Sequence, residues 1–387
     1  MRFALVTADY QPAAVACGVG DYTRCLRRAL EELGHPCLVL TSARSHSGEP
    51  DVQRLAGRWG PRETLAAWRA LRRWRPDVVS LQYTPDLYGY GVAFKLLPLL
   101  LRWTRGSPRV VTTFHTLVGG RRVSGPYAAL LAASSHGVVS TNAELTELFR
   151  RRLPWWKGKL REIPIGASIP EPRVDRSSAR RSLRERLGQN ADATVLGAFG
   201  FPAPGKGLET LVQAMAALNE SSEVHLAVIG ETRPGDRAHR AMLDRRARDL
   251  RVDGRIHWLG RLPEQEVSDL LLGADAYVVP YDDGASLRRG TLIAGFRVGV
   301  PIVTTPPRYP DPALSPGETI LTVPPRSPGA LAAEIRRLLT DPHLQERLRK
   351  GSAAAAARFE WPAIAADYVA VGERLRGKED RVRSERT

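Results

Sequence analysis

Short β-branched or aliphatic runs alternate along this chain with longer amphipathic stretches, the pattern of βα units that assemble parallel sheets. In the first half the pattern predicts strands at FALVTA, PCLVLTS, DVVSLQY, RVVTTFH and GVVSTN. Between the first two, Tyr22, Cys25, Leu26, Ala29, Leu30 and Leu33 recur at helical spacing, so a helix is predicted over Asp21–Leu33, ended by Gly34. EIPIGASIPEPRVD breaks the alternation with three prolines and no helical period, and reads as a linker. The alternation then restarts with TVLGAFG, EVHLAVIG, RIHWLG, AYVVPY and PIVTT.

Each half therefore predicts a doubly wound, Rossmann-like α/β domain, and ligands of such sheets bind beyond the carboxyl ends of the strands. The cleft between the halves is the expected site. Near the end, Arg358–Leu375 predicts one more amphipathic helix with Pro362 in its first turn, and RGKEDRVRSERT, with no apolar face, is expected to be disordered. The expected division is a first domain over 1–165, a second over 166–357, a terminal helix over 358–375 and a tail over 376–387.

Composition changes this picture little. A chain of 387 residues is long for one core, and 43% hydrophobic with 25% charged residues is an ordinary globular balance. Cys17, Cys25 and Cys37 have neither metal-ligand nor disulfide-framework spacing, so a reducing cytoplasm is the expected compartment. No apolar run is long enough to span a membrane, and MRFALVTADY lacks the features of a secretion signal. The net charge of +16 comes almost wholly from arginine, the lysines being Lys95, Lys157, Lys159, Lys206, Lys350 and Lys378. No nucleic-acid-reading module accompanies it, so nucleic acid is not an expected partner.

Four stretches carry candidate chemistry. ACGVGDYT places Gly18 and Gly20 just before a helix, where positive φ and free amides suit an anionic group, or simply make a turn. FGFPAPGKGLETLVQA presents Lys206, beside Gly205, at the mouth of another helix, where an ammonium neutralises a diphosphate leaving group; a solvated lysine is the bland alternative. It is not a P-loop, because the spacer and the following Ser/Thr are absent. TTFHT puts His115 at a strand's carboxyl end, placed for proton transfer or for orienting a hydroxyl, although a lone histidine is usually structural. In DDGASLRRGTLIAGFRVGVPIVTT, Arg288 and Arg289 are candidate phosphate clamps, and the Gly290, Thr291 and Leu292 amides form a candidate anion-binding helix end.

These pieces, in this order, resemble the family 4 glycosyltransferases of the GT-B architecture over nearly the whole chain. The likeness rests on GVGDYT, FHT, GKGLETLVQA, VIGE, GRLPEQEVSDLLLGADAYVVPY, GVPIVTT and the FEW-initiated terminal helix. It implies two Rossmann-like domains facing across a cleft, with the last helix crossing back to the first. It also implies retaining transfer to an acceptor hydroxyl from a nucleotide-diphosphate sugar, which is co-substrate rather than cofactor, with no metal. By resemblance Lys206 holds the diphosphate, Gly18 and Gly20 lie beneath it, His115 contacts the donor sugar, and the strand ends near Gly230 and Arg261–Leu262 flank the base. Asp21, Tyr22 and Tyr83 lie where the acceptor is expected.

The chain departs from the family where two glutamates are usual. Counted back from Pro301, their places hold Ser286 and Ala294; counted forward from Pro280, the first falls at Gly284, beside Asp282 and Asp283, so the loop carries an insertion. Asp283 or Ser286 is the expected substitute toward the donor. The arginine usual after the FG strand is Phe201, with Arg288 or Arg289 as the expected replacement. The competing readings are a degenerate GT-B protein that binds nucleotide sugars or scaffolds a partner, and a phosphorylase or epimerase on the same frame. The stretches 57–77 and Phe149–Arg161 set tryptophans beside arginines, which suits peripheral contact with an anionic membrane at its inner face. The first equally suits a domain helix with Leu65, Trp68 and Leu71 on the sheet.

Overall fold

The computed structural model describes the whole chain except residues 11–16, 56–58, 89–91, 105, 118–124, 153–157, 219–222 and 385–387. It divides into two compact units, Met1–Gly166 with Glu360–Thr387, and Ala167–Phe359.

In the first unit the strands are β1 (Phe3–Thr7), β2 (Cys37–Ser42), β3 (Val52–Leu55), β4 (Val78–Tyr83), β5 (Arg109–Phe114), β6 (Gly137–Ser140) and β7 (Leu160–Glu162). They pair in the order β3-β2-β1-β4-β5-β6-β7, every pair parallel. Successive residues of a strand face opposite ways, and here both faces are covered. Ala4 and Val6 of β1 join a cluster with Leu71, Leu81 and Phe114, while Phe3 and Leu5 join another with Leu26, Leu30, Ile364 and Tyr368. That is why the strands read as continuous apolar runs.

The second cluster is closed by the helices Gly18–Glu32 and Trp361–Ser384, which pack on each other. The last helix thus serves the first unit's core although it follows the second in sequence. It runs to Ser384, beyond the expected end at Leu375, so most of the stretch expected to be disordered is helical. Arg, Glu and Lys are good helix formers even without an apolar face, and Arg376 pairs with Asp77 at 3.0 Å.

The second unit repeats the scheme with β8 (Thr194–Phe199), β9 (Val224–Ile229), β10 (Ile256–Gly260), β11 (Ala276–Val279), β12 (Ile302–Thr304) and β13 (Leu321–Thr322), ordered β10-β9-β8-β11-β12-β13 and parallel throughout. In both sheets the order reverses between two adjacent strands, β1/β4 and β8/β11. The connections leave to opposite faces there and open a crevice at the carboxyl edge.

Among the described residues, no helix is long and apolar enough to cross a membrane. The tryptophans of the helix Pro61–Trp74 pack inward: Trp68 and Trp74 lie against the core cluster, and Trp59, just before the helix, is inside it. Leu65 is exposed, against the expectation that it meets the sheet. Trp155 and Trp156 lie outside the described residues.

Candidate functional site

The second unit's switch point joins the loop after β8 to the loop after β11. Asp282 donates its amide to the Gly205 carbonyl at 3.2 Å. Gly207, at φ +74°, lies so close to the Pro280 carbonyl that a Cβ there would sit 1.9 Å from its oxygen. Only glycine fits on both counts. The contact brings Lys206 beside Tyr281, its Nζ 5.7 Å from the ring centroid. Arg289 stacks on the same ring with Cζ at 3.9 Å from the centroid. The ring is itself anchored, its hydroxyl 2.8 Å from Thr291 Oγ1. Tyr281 is buried, and burial pushes its own pKa up to about 12. Two cations are thereby held against one aromatic ring.

Among the described residues the Lys206 ammonium makes no hydrogen bond or ion pair. Burial, and then the charges of Arg289 and Arg233, bring its pKa down to about 8. A negative charge brought to Nζ would reverse that shift.

Asp283 does not stand ready for a donor as the sequence suggests. Its carboxylate accepts from Arg288 Nη2 at 2.6 Å and from Arg289, closing on both intended phosphate clamps. Burial alone would raise the Asp283 pKa, but the Arg289 hydrogen bond and the two guanidinium charges outweigh it and hold the carboxyl below its ordinary value. Ser286 is occupied locally, its Oγ accepting from the Arg288 amide at 3.4 Å. Ala294 is fully buried and offers no acceptor.

The helix Gly290–Val298 has no side-chain cap, consistent with an anion site at its start. The Leu292 amide, however, donates to the Arg289 carbonyl at 3.0 Å. This corrects one expectation: of the three amides, only those of Gly290 and Thr291 stay candidates.

Phe201 supplies a finding the sequence did not suggest. Arg233, from the loop after β9, lies over its ring with Cζ 4.3 Å from the centroid, and its Nε donates to Asp236 at 2.6 Å. A cation thus stands on the aromatic ring that replaces the usual arginine. The only sequence hint was a basic residue shortly after VIGE. Gly230, between these loops at φ +154°, has its backbone against Gly200 and gives its amide to the Gly260 carbonyl at 2.8 Å, so that amide is not available to a base.

In the first unit His115 directly follows the carboxyl end of β5, as expected. Its Nε2 lies 2.9 Å from Gln82 Oε1, and Gln82 Nε2 donates to Ser80 Oγ at 2.9 Å. With the amide oriented in this way, the imidazole carries its proton on Nε2 and leaves Nδ1 as an acceptor. Burial lowers its pKa to about 3, so it is neutral at physiological pH. Its ring meets the edge of Tyr22 at 4.7 Å between centroids.

Tyr22 and Tyr83, expected toward the acceptor, are both buried. Tyr22 is buried with its hydroxyl 3.0 Å from that of Tyr368, and Tyr83 is buried among Tyr88 and Phe114. Tyr22 instead braces the histidine. Gly18 and Gly20 lie within the helix Gly18–Glu32 and have no positive φ. Gly20 is needed for a different reason, since a Cβ there would stand 3.1 Å from the Asp9 carbonyl oxygen. Asp21 is part-exposed at the helix start, 3.8 Å from Arg24. The loop following Leu117 and residues 11–16 lie outside the described residues. Among the described residues no group of three or more His, Cys, Asp or Glu is arranged to hold a metal ion.

Two family profiles match the chain in succession, "Glycosyltransferase Family 4" over residues 16–169 and "Glycosyl transferases group 1" over residues 179–354. The chain is 26% identical to a glycogen synthase of Mycobacterium tuberculosis, over 94% of this chain and 92% of that protein. It is 25% identical to a phosphatidyl-myo-inositol mannosyltransferase of the same species, over 94% and 95%. The sucrose-phosphate synthase structure from Thermosynechococcus elongatus superposes with a TM-score of 0.74 at 22% identity, covering 97% of this chain and 99% of that one. Sheets of this order, switch-point loops rich in cations and this helix exchange define a GT-B protein that works on a nucleotide-sugar donor. The chain belongs to the family 4 glycosyltransferases, which are retaining enzymes.

Proposed function

We propose that the loops after β8, β9 and β11 hold the diphosphate of the donor, with Lys206, Arg289, Arg288 and Arg233 as its cations and the Gly290 and Thr291 amides completing the set. The observation that carries this is the Lys206 ammonium, seated on Tyr281 beside Arg289 without a hydrogen-bonded or ion-paired anion among the described residues. As the bond from the anomeric carbon to the diphosphate breaks, negative charge grows on the leaving oxygen. Cations already in place stabilise that charge without reorganising. The acceptor hydroxyl forms the new bond on the face the diphosphate leaves, which retains configuration.

On the first unit, neutral His115, oriented by Gln82, serves as a hydrogen-bond partner for the donor sugar rather than as a cationic acid, since its pKa lies far below neutrality. Gly205 supports the diphosphate loop at φ +81° with open space at its Cβ position. Asp283 acts as the internal counter-anion of the arginine pair until a phosphate displaces it. Cys17, Cys25 and Cys37 form no disulfide among the described residues, which suits a reducing cytoplasm; we place the enzyme there, with any contact at the inner membrane face a matter for vesicle assays.

The test is a thermal-shift panel of nucleotide diphosphates and nucleotide sugars, followed by detection of free nucleotide with a glycan or alcohol acceptor. Stabilisation by a diphosphate that is lost in Lys206→Ala supports the assignment. Stabilisation undiminished in that variant refutes it. Donor binding without any transfer favours the degenerate, binding-only reading, for which Ala294 and the closed Asp283 pair speak.

A further inference from the structure

The amino-terminal edge of the first sheet carries a second concentration of positive charge. A cavity of about 330 Å³ opens there, lined by Arg102, Arg109, His136, Lys159, Arg161 and Arg374 over an apolar floor that includes Val371 and Leu375. Its size falls in the range of small-molecule sites. Arg109 begins β5 and His115 follows its other end, so the cavity lies roughly 20 Å along the sheet from the histidine. It shares no residue with the site described above.

Among the described residues that line it there is no carboxylate. Burial and mutual repulsion act on the same groups. Burial and then the charge of Arg102 lower the Lys159 pKa, burial and then Arg374 lower that of Arg161, and burial with Arg109, Arg102 and Lys159 brings His136 to about 4. Lys159 Nζ donates to the Ser135 carbonyl at 3.3 Å and Arg161 Nη1 to the Leu160 carbonyl at 2.7 Å, so each is positioned while keeping further N–H donors. His136 Nδ1 accepts from the Val110 amide at 3.1 Å, which leaves its proton on Nε2 as another donor. Gly137 allows this closeness, since a Cβ there would meet Leu375 at 3.2 Å.

Like charges gathered round a concave, partly apolar space lower their energy when a multivalent anion enters. We propose that this cavity is a binding site for a compact phosphate-bearing anion, a phosphomonoester or pyrophosphate group, separate from the donor site. Two sources share that chemistry, a soluble phosphorylated molecule and a lipid headgroup. The second is relevant because Leu96, Leu100 and Trp103 follow one another at helical spacing beside Arg102 and are exposed, Trp103 by 90%.

The experiment titrates the full-length protein with inorganic pyrophosphate while following the His136 ring signals by NMR, in the wild type, in Lys206→Ala and in Arg102→Glu/Arg374→Glu. Both exposed arginines lie outside the catalytic assignment, and a wild-type unfolding transition confirms that the double variant folds; Lys159→Gln is the second variant if it does not. The expected result is a pyrophosphate-dependent rise in the His136 pKa that survives Lys206→Ala and weakens roughly tenfold or more in the double variant, the effect of losing charge-assisted contacts. Flotation with vesicles of phosphatidylcholine and phosphatidic acid, abolished by the same variant, assigns the anion to a headgroup. Pyrophosphate binding without flotation assigns it to a soluble ligand. His136 unmoved by both pyrophosphate and phosphatidic acid overturns the proposal, as does pyrophosphate binding that Lys206→Ala alone removes.

Discussion

Lys206 carries the sharpest predictions at the scale of single residues. If its ammonium stabilises the departing diphosphate, Lys206→Ala lowers turnover by roughly 100- to 1,000-fold, or about 2.7–4 kcal/mol, measured as free nucleotide released at saturating donor. A loss well under tenfold would remove it from the mechanism. Its pKa near 8 adds a pH signature. The folded-state value lies below the unfolded one, so between the two the unfolded chain binds more protons and stability rises with pH. Protonated Lys206 is thus a cost that an anion relieves. Nucleotide-diphosphate affinity should accordingly fall as pH rises through about 8, whereas Lys206→Arg, which cannot deprotonate there, should show a flat profile by calorimetry. Asp283→Asn removes the counter-anion of Arg288 and Arg289 and should tighten diphosphate binding by about 0.5–1 kcal/mol, the scale of a part-exposed ion pair. Weaker binding in that variant would instead make Asp283 a donor contact. Arg233 was invisible at this scale in the sequence, because nothing local says that it lies on Phe201.

At the scale of elements, the site depends on loops whose glycines are not equivalent. Gly205 and Gly207 both have positive φ, but only Gly207 abuts a carbonyl. Gly205→Ala should cost only the left-handed strain of about 1–2 kcal/mol, whereas Gly207→Ala must also push Pro280 aside and should destabilise by clearly more. Urea denaturation compares the two, and equal costs would contradict the close approach. The same scale shows where the sequence was legible. The interior strands carry apolar runs because both faces are covered, so all nine described were readable, as was the edge strand β10. The edge strands β3, β7 and β13 were not. Val52–Leu55 is half exposed, β7 spans Leu160–Glu162 and β13 only Leu321–Thr322, too short for any periodicity to show.

On the scale of the molecule, the chain returns its last helix to the first sheet, and a buried polar network fastens it. The Tyr368 hydroxyl lies 2.7 Å from Thr113 Oγ1 and 3.0 Å from the Tyr22 hydroxyl, and Tyr22 in turn packs on His115. Tyr368→Phe takes a partner from the buried Tyr22 hydroxyl and leaves Thr113 with only Ser80 Oγ at 3.4 Å, and should cost about 1–3 kcal/mol in urea denaturation. An unchanged midpoint would mean that water or rearrangement satisfies them. The setting of His115 is therefore built partly by residues at the far end of the chain, through Tyr22, whose sequence position gave no sign of these contacts.

The order of apolar runs, their loops and the placement of Lys206 and His115 in loops after strands were determined by sequence alone, because strand period, helix period and turn chemistry act over a few residues. Which cation meets which anion was decided only by tertiary structure. Lys206 on Tyr281, Arg233 over Phe201 and the basic cavity at the opposite sheet edge join side chains from separate loops or helices, within reach only once the sheets have formed, while Asp283 closes on Arg288 and Arg289 through the fold of the one loop that carries all three. Electrostatic and aromatic contacts act across a few ångströms of space, whatever the distance along the chain.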